Sequence, residues 1–313
     1  METQSSYTSN FRKIVIFLMR IFLIFGIIMV VATLLFEKYI VFGSEISGAN
    51  KIYRIIEEET SNEIALLGSS RAQGSYVPSV ISDQLFNYGI DGIQDNVVLL
   101  MLEEELKKDK DLPVIINFDL DGINTVTGDD NNYIPMIWNE KIYDLVKDNL
   151  SYYQRIPIIK YFGKFEFYFK LYLNNKINLT KKTDNGGSYE IDTDLNALYA
   201  QIERRKQREV TITDDTLLVN QYISLIESTD RKLVFVVAPF HVAYFREIVN
   251  EDDGRLFLKR VDKYENVTVF DMSNQSYPDS LYVNITHLNY TGAVQFSKCL
   301  KDSLIKYNII DGK

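Results

Sequence analysis

Hydrophobic positions divide the chain into one long apolar segment near its start and a body of short apolar runs. Residues 14–36 are almost wholly apolar, and the one charge among them is Arg20. About 20 apolar residues in a helix span the hydrocarbon core of a bilayer, so residues 14–36 are expected to form a transmembrane helix. The segment is long for a signal-peptide core, and no cleavage site of small residues closes it. An uncleaved signal anchor is therefore favoured over a cleaved signal.

Basic residues indicate how this helix would be oriented. Arg12, Lys13 and Arg20 all lie towards its N-terminal end, and the positive-inside rule places that end in the cytoplasm. Residues 1–13 then form a cytoplasmic tail, whose polar first 11 residues are expected to be disordered. Residues 39–313 form a domain outside the membrane.

In the body, short apolar runs that end in polar turns alternate with segments of helical periodicity. This alternation is typical of α/β proteins with a parallel sheet. The predicted strands lie at 64–67, within 85–92, and at 113–120, 232–238 and 267–270, and the predicted helices include 48–59, 95–108 and 287–307.

Residues 131–230 interrupt this pattern and are interpreted as an insertion that covers one edge of the sheet. Within it, Tyr152–Leu173 is dense in aromatic residues with interleaved lysines, and Thr183–Ser188 is predicted to be a polar glycine loop. The aromatic residues could pack in a core, form a platform on which sugars stack, or rest on the membrane interface, where Tyr and Lys are favoured.

Charge and composition exclude several classes of function. The net charge is −9; the first 38 residues contribute +2, so the body carries −11. An acidic body argues against nucleic acid as a partner, because phosphate binding needs clustered Lys and Arg. One Cys and two His argue against a Cys/His zinc site, and Asp119 and Asp121 alone do not predict a metal, so no cofactor is expected. Cys299 lies in an apolar helical pattern and is predicted to be a core residue.

Candidate chemistry lies at the predicted carboxyl edge of the sheet. Gly68-Ser69-Ser70 follows the first strand, and a strand-to-helix turn can expose a nucleophilic serine. Alone, this tripeptide is common in loops, but His287 precedes the last helix and would reach the same edge. A serine hydroxyl needs such a base and donors for the developing oxyanion. The backbone N–H groups of Ser70 and Gly92 and the side-chain amide of Asn124 are candidate donors.

These residues together resemble the SGNH (GDSL-type) hydrolase superfamily, whose four sequence blocks occur here in order. Gly68–Ser70 corresponds to the block that carries the nucleophile, and Asn87–Gly92 to the Asn-x-x-x-x-Gly block of the oxyanion glycine. Gly122–Asn124 matches the Gly-x-Asn block, without the Asp that usually follows. Asn284–His287, followed by Leu-Asn-x-x-Gly-Ala, stands in the place of the Asp-x-x-His block.

The resemblance implies an α/β fold: a flavodoxin-like three-layer sandwich with a central parallel sheet. It implies Ser70 as nucleophile and His287 as base, with the oxyanion held by Ser70, Gly92 and Asn124. It is strongest to single-pass bacterial membrane proteins of alginate and cellulose O-acetylation and of teichoic-acid D-alanylation. These act on cell-surface polysaccharides together with membrane-bound O-acyltransferases, so a polysaccharide or acylated glycan is the implied substrate and such an acyltransferase the implied partner.

One departure bears on catalysis, because Asn284 stands where the family has Asp. A triad carboxylate orients the imidazole and stabilises its cation, whereas an amide adds no charge. The site could work as a Ser–His dyad with Asn284, could use another carboxylate such as Asp279, or could have lost catalysis and bind only. Three functions are open: a serine esterase or O-acyltransferase acting on a cell-surface polysaccharide, a binding protein within a polysaccharide assembly complex, or a plain surface esterase of small acyl esters.

Two further residues near this edge have both a functional and a structural interpretation. Arg71 follows the predicted nucleophile and could contact an anionic sugar, or it could form a salt bridge. His241 follows the fourth predicted strand, which ends at Pro239. It could contact substrate, or it could simply begin a helix.

Overall fold

The computed structural model describes residues 4–120, 132–148, 150–156, 159–177, 181–205, 216–245 and 251–311. Its strands are β1 Ile64–Leu67, β2 Leu85–Asn87, β3 Val114–Asn117, β4 Lys181–Asp184, β5 Gly187–Glu190, β6 Leu233–Val237 and β7 Val267–Asp271. Its helices are α1 Gln4–Phe36, α2 Gly48–Glu57, α3 Ser70–Ser75, α4 Pro78–Ile81, α5 Asp95–Leu106, α6 Glu140–Val146, α7 Phe165–Ile177, α8 Leu195–Arg205, α9 Thr216–Glu227, α10 Val242–Phe245, α11 Glu251–Val261 and α12 Tyr290–Lys306.

Five strands form a parallel sheet in the order β2-β1-β3-β6-β7. In the register, Ala65 of β1 lies between Phe86 of β2 and Val114 of β3. The residues of β1, β2, β3 and β6 are all buried, which is expected for strands covered by helices on the sheet faces. The predicted α/β fold with a central parallel sheet is confirmed, and all five predicted strands form.

Parallel pairing brings the carboxyl ends of the strands to one edge of the sheet. The turns after β1 and β2 lie there, and so does the segment before α12. In open α/β sheets this edge is where ligands bind. Helix α9 packs beside the sheet, where the Tyr222 ring lies 6.2 Å from that of Phe235 on β6 and 5.7 Å from that of Phe257 on α11.

Two local predictions were wrong. Cys299 is exposed on α12, because Phe296, Leu300 and Leu304, spaced four residues apart, take the buried face. The polar N-terminal segment, expected to be disordered, is helical from Gln4 onward as the start of α1.

The segment predicted as a polar glycine loop is instead a β-hairpin. Strands β4 and β5 pair antiparallel around Asn185-Gly186, and both turn residues have positive φ, 40° and 84°. This is the dipeptide that two-residue hairpin turns favour. The hairpin tip contacts the open edge of the sheet, since the Asn87 N–H of β2 donates to the Asn185 carbonyl at 2.8 Å.

Among the described residues, one helix is long and apolar enough to cross a membrane. It covers Phe11–Val41 and comprises most of α1 and a π-helical turn, Glu37–Val41. The end of α1 contacts the aromatic-rich segment 152–173. The Phe36 ring lies 5.3 Å from that of Tyr161 and 5.0 Å from that of Phe165.

Candidate active site

The turn after β1 places two serines on different sides. Gly68 has φ of +145°, and a Cβ there would lie 3.0 Å from the backbone oxygen of Asn117, so glycine suits this position. Ser69 caps α3 by accepting the Arg71 N–H at 3.2 Å, and its hydroxyl also donates to Asp119. Ser70 is the first residue of α3 and lines a separate cleft.

The turn after β2 packs tightly against α3. The buried Asn87 side chain donates to the Ala72 carbonyl at 2.7 Å and accepts the Gly89 N–H at 2.9 Å. A Cβ at Gly89 would overlap the backbone nitrogen of Gln73, so only glycine fits. Beneath the turn, the buried Lys51 side chain donates to the Gly89 carbonyl. The Asn of the predicted oxyanion block therefore fixes this turn against the helix that carries Ser70.

His287 is held in a short, tied loop before α12. Leu288 forms an isolated antiparallel bridge with Tyr282, and the Asn289 side chain caps α12 by accepting the Gly292 N–H at 2.9 Å. Cap and bridge flank His287 on its C-terminal side. The imidazole is thereby directed at the start of α3.

Ser70, His287 and Asn284 form a continuous hydrogen-bonded chain. The Ser70 Oγ lies 2.8 Å from His287 Nε2, and His287 Nδ1 lies 2.9 Å from Asn284 Oδ1. Asn284 Oδ1 also accepts the backbone N–H groups of Thr286 and His287, both at 2.9 Å. These N–H groups can only donate, so the atom that faces them is the amide oxygen. Nδ1 then carries the imidazole proton, and Nε2 has a lone pair for the serine hydroxyl.

Thr286 adds a second polar contact to the imidazole. Its Oγ1 lies 2.9 Å from His287 Nδ1 and 3.0 Å from Asn284 Oδ1. The hydroxyl can donate to the amide oxygen while it accepts part of the Nδ1–H bond. The base is therefore oriented by two neutral groups, and no described carboxylate takes part.

The surroundings of His287 keep the imidazole neutral. The pKa of His287 is lowered from 6.5 to about 4, chiefly by desolvation and then by the nearby Arg71 cation, against weaker opposing effects of Asp91 and Asp119. At neutral pH, Nε2 is thus free to accept a proton, as a general base must be.

The cleft beside this chain has a volume of about 170 Å³. The hairpin forms one of its walls, where Lys181 and Glu190 make an ion pair at 2.8 Å. Asp91 and Leu288 contribute to the remainder. The two hairpin residues were missed from the sequence, although Asn185-Gly186 between polar segments is a hairpin signal.

Arg71 is buried in an ion pair and does not line this cleft. Its Nη1 lies 2.5 Å from Asp119 Oδ1, and its Nη2 donates to the Ala238 carbonyl. The guanidinium also stacks 3.4 Å from the centre of the Phe240 ring. The arginine joins the carboxyl ends of β1, β3 and β6, which is the salt bridge that the sequence left as one of two interpretations.

His241 and Asp279 form a second pair, separate from the cleft lining. His241 Nε2 lies 3.2 Å from Asp279 Oδ1, and its Nδ1 accepts the Ala243 N–H at 3.2 Å. The other carboxylate oxygen of Asp279 accepts the Tyr199 hydroxyl at 2.8 Å. The structure thus pairs Asp279 with His241, while Asn284 contacts His287.

The structure describes two of the three predicted oxyanion donors. Ser70 N–H is the first N–H of α3, where no intrahelical acceptor exists. Gly92 has φ of +65° and is exposed next to Asp91, which lines the cleft. Asn124, with the rest of its block and with Asp121, lies outside the described residues.

Comparison with protein-family models and with curated proteins finds no match to this sequence. The function must therefore be argued from the site. The Ser70 hydroxyl opens to a small cleft and is hydrogen-bonded to the neutral imidazole of His287, which Asn284 and Thr286 orient through its Nδ1. This is the arrangement of an activated nucleophile.

Proposed function

We propose that this chain is a membrane-anchored, SGNH-like serine esterase or O-acyltransferase of a bacterial cell envelope. In this proposal α1 crosses the cell membrane with its N-terminus in the cytoplasm, and the α/β domain lies outside. Its substrate is an acylated cell-surface polysaccharide or a precursor of one. The observation that carries the proposal is the 2.8 Å contact between Ser70 Oγ and His287 Nε2.

The first chemical step forms an acyl-enzyme. Ser70 Oγ attacks the ester carbonyl carbon while its proton passes to His287 Nε2. The oxyanion is stabilised by N–H donors at the start of α3 and in the Gly92 turn. When the tetrahedral intermediate collapses, the C–O bond of the ester breaks, and Nε2 returns the proton to the departing alcohol oxygen.

The second step releases the acyl group. Water or a sugar hydroxyl gives its proton to His287 Nε2 and attacks the acyl carbon, and Ser70 recovers the proton as its ester bond breaks. Water as acceptor makes the enzyme an esterase, and a sugar hydroxyl makes it an acyltransferase. The cleft volume of about 170 Å³ is below the roughly 300–1,000 Å³ usual for ligand pockets, which favours a short acyl group.

Two structural features support the resemblance. The strand order β2-β1-β3-β6-β7, numbered within the parallel sheet, is the 2-1-3-4-5 order of flavodoxin-like folds. In addition, residues of three of the four blocks meet at the carboxyl edge of this sheet. Residues of the remaining block are not described.

A second candidate function is a catalytically weak binding protein of a polysaccharide-modification complex. Asn284 favours it, because an amide cannot offset the positive charge that His287 acquires during attack. In serine proteases with a Ser-His-Asp triad, replacing the aspartate by asparagine lowers turnover by about 10⁴. The retained Ser70–His287 contact favours the enzyme.

Hydrolysis of p-nitrophenyl acetate by the full chain in detergent micelles separates the two. We expect release of p-nitrophenol that falls at least about 10³-fold in Ser70→Ala, because the nucleophile is lost. Ser69→Ala is the matched control, since its hydroxyl contacts Asp119 on the other side of the turn. Equal rates in wild type and Ser70→Ala, with both proteins folded, would support the binding protein instead.

A further inference from the structure

Three exposed phenylalanines lie at the start of α7, beside the end of the apolar helix α1. Phe165 and Phe169 are four residues apart on α7 and so lie on one face of it, while Phe162 lies in the turn that leads into the helix, just before Gly163 with its positive φ of 74°. The exposed fractions of the Phe162, Phe165 and Phe169 side chains are 68%, 46% and 49%. Three exposed rings so close together are more apolar surface than core packing explains.

The cleft does not use these rings. Its lining comes from α3, the hairpin, the turn after β2 and the loop before α12, and includes no described residue of α7. A sugar held beside Ser70 would therefore meet other residues, which argues against a sugar-stacking role for α7 in catalysis.

The position of α7 is fixed relative to the end of α1. The Phe36 ring lies 5.0 Å from that of Phe165, and Glu37 accepts the Tyr161 hydroxyl at 2.8 Å. The buried Lys160 ammonium lies 2.5 Å from the same carboxylate. A buried ion pair with a second hydrogen bond holds this junction in one geometry, so where α1 leaves a bilayer, the start of α7 lies at the same level.

Exposed basic and aromatic residues surround the junction in the manner of a membrane interface. The Lys38 ammonium lies 5.5 Å from the centre of the Tyr39 ring, and Lys170 and Lys176 are exposed on α7. Tyrosine rings are favoured at the level of the lipid headgroups, and lysine side chains near the end of a membrane helix reach towards the same level. The occupant that fits this face is the lipid headgroup and acyl boundary of the membrane.

We propose that α7 lies in the interface of the bilayer that α1 crosses, with Phe162, Phe165 and Phe169 directed at the acyl chains. This inference rests on the membrane anchoring in the proposed function. It also places the cleft close to the surface: Lys181 in the cleft wall is four positions along the chain from Ile177, the end of α7, which limits the distance between their Cα atoms to about 14 Å. The ester would be presented at the membrane surface.

Quenching of tryptophan fluorescence by brominated acyl chains tests this in the full chain, reconstituted in phosphatidylglycerol–phosphatidylcholine nanodiscs. Trp138, the single tryptophan, is first replaced in Trp138→Phe. Phe169→Trp then reports on α7, and Phe162→Trp serves as a second reporter if the first does not fold. Tyr307→Trp is the matched control: it is 56% exposed and lies beyond the 17 residues of α12, about 25 Å along the helix from the cleft edge.

We expect bromolipids to quench Phe169→Trp severalfold more strongly than Tyr307→Trp, and iodide in the buffer to show the reverse order. Equal quenching of the two reporters by bromolipids would overturn the inference. A reporter in the middle of α1, Phe22→Trp, distinguishes failure of the α7 inference from failure of membrane anchoring. If Phe22→Trp is quenched and the α7 reporter is not, only the α7 inference fails; if neither is quenched, membrane anchoring itself fails. Each result is independent of ester hydrolysis by Ser70.

Discussion

The two histidines of this chain lie near the same edge of the sheet, yet they have opposite partners. His287 contacts the neutral amide of Asn284 through Nδ1 and the Ser70 hydroxyl through Nε2. His241 contacts the carboxylate of Asp279 through Nε2, and a backbone N–H occupies its Nδ1. Within the described residues, the histidine with a carboxylate has no hydroxyl partner, and the histidine with a hydroxyl has no carboxylate.

This difference shows what separates a structural histidine from a candidate base. Both nitrogens of His241 are used within the protein, so no lone pair faces a cleft. His287 directs Nε2 at a hydroxyl that is open to a cleft, and burial lowers its pKa to about 4, which keeps it neutral. Asn284 orients the imidazole of His287, but as a neutral amide it does not stabilise the positive charge that the imidazole acquires when it takes a proton.

Replacing each histidine should give the largest contrast. We expect His287→Gln to lower ester hydrolysis at least about 10³-fold, because the base is removed. His241→Gln should leave kcat per folded protein close to wild type, since both of its nitrogens are bonded away from Ser70. Steady-state kinetics on p-nitrophenyl acetate, corrected for the folded fraction, measure both effects. An equal loss in the two variants would remove the distinction between them.

Arg71, whose charge helps to lower the pKa of His287, should have a large effect on stability. Arg71→Met leaves Asp119 without its cation, and breaking a buried ion pair costs about 3–5 kcal/mol. We expect the urea midpoint to fall accordingly. Arg255→Met, which removes a more exposed arginine paired with Glu251 at 2.6 Å, is the control and should cost about 1 kcal/mol or less. Similar midpoints for the two variants would contradict the structural role of Arg71.

The lowered pKa of His287 should make folding depend on pH. An unfolded chain protonates this histidine near pH 6.5 and the folded chain only near pH 4, so between these values the unfolded state binds more protons. The stabilising contribution is complete above pH 6.5 and falls as the pH drops towards 4, by on the order of 3 kcal/mol. Urea unfolding at pH 7 and about pH 4.5 should therefore differ less in His287→Gln than in wild type.

Asn284→Asp should convert the neutral site into a charged one. A carboxylate oxygen can accept the same hydrogen bonds from Thr286 and His287 and adds a negative charge beside the imidazole, which raises the pKa of His287. We expect hydrolysis near pH 8 to rise about tenfold, equivalent to about 1.4 kcal/mol in the barrier. The acid limb of the pH–rate profile should move upward from about pH 4. An unchanged rate and acid limb would mean that charge behind His287 has no influence.

Asp279→Asn should have the smallest effect and tests whether this carboxylate serves catalysis. Its hydrogen bond from Tyr199, and then that from His241, lowers the pKa of Asp279, but the side chain is 42% exposed, so the cost in stability should be about 1 kcal/mol or less. Ester hydrolysis should not change. A loss comparable to that in Ser70→Ala would instead place Asp279 in the mechanism.

The sequence predicted the sheet well because buried parallel strands have a strong local signature. Ile64–Leu67 is an apolar run that ends in a glycine turn, and its bounds are those of β1. Ser70 and His287, 217 residues apart, could be paired only because parallel topology brings both to one edge. The family resemblance gave the order of the sequence blocks that carry these two residues. The parallel topology explains why residues so far apart in the chain can meet.

Features that depend on packing of distant segments were not predictable. Which carboxylate faces which histidine depends on how the loop around Asp279 folds back, and the sequence left Asp279 open as a partner of His287. The wall formed by Lys181 and Glu190 requires the hairpin to dock against α3. The choice between core packing and an exposed role for Phe165 and Phe169 depends on where α1 ends.

The central claim is that Ser70 is a nucleophile activated by His287 without a carboxylate. Labelling with a fluorophosphonate, followed by peptide mass spectrometry, tests it directly, because this probe bonds covalently to activated serines whatever the natural ester. The account predicts one adduct, on Ser70, that is absent in Ser70→Ala and strongly slowed in His287→Gln. Failure of the folded wild-type chain to form an adduct, or an unchanged adduct yield in His287→Gln, would contradict it.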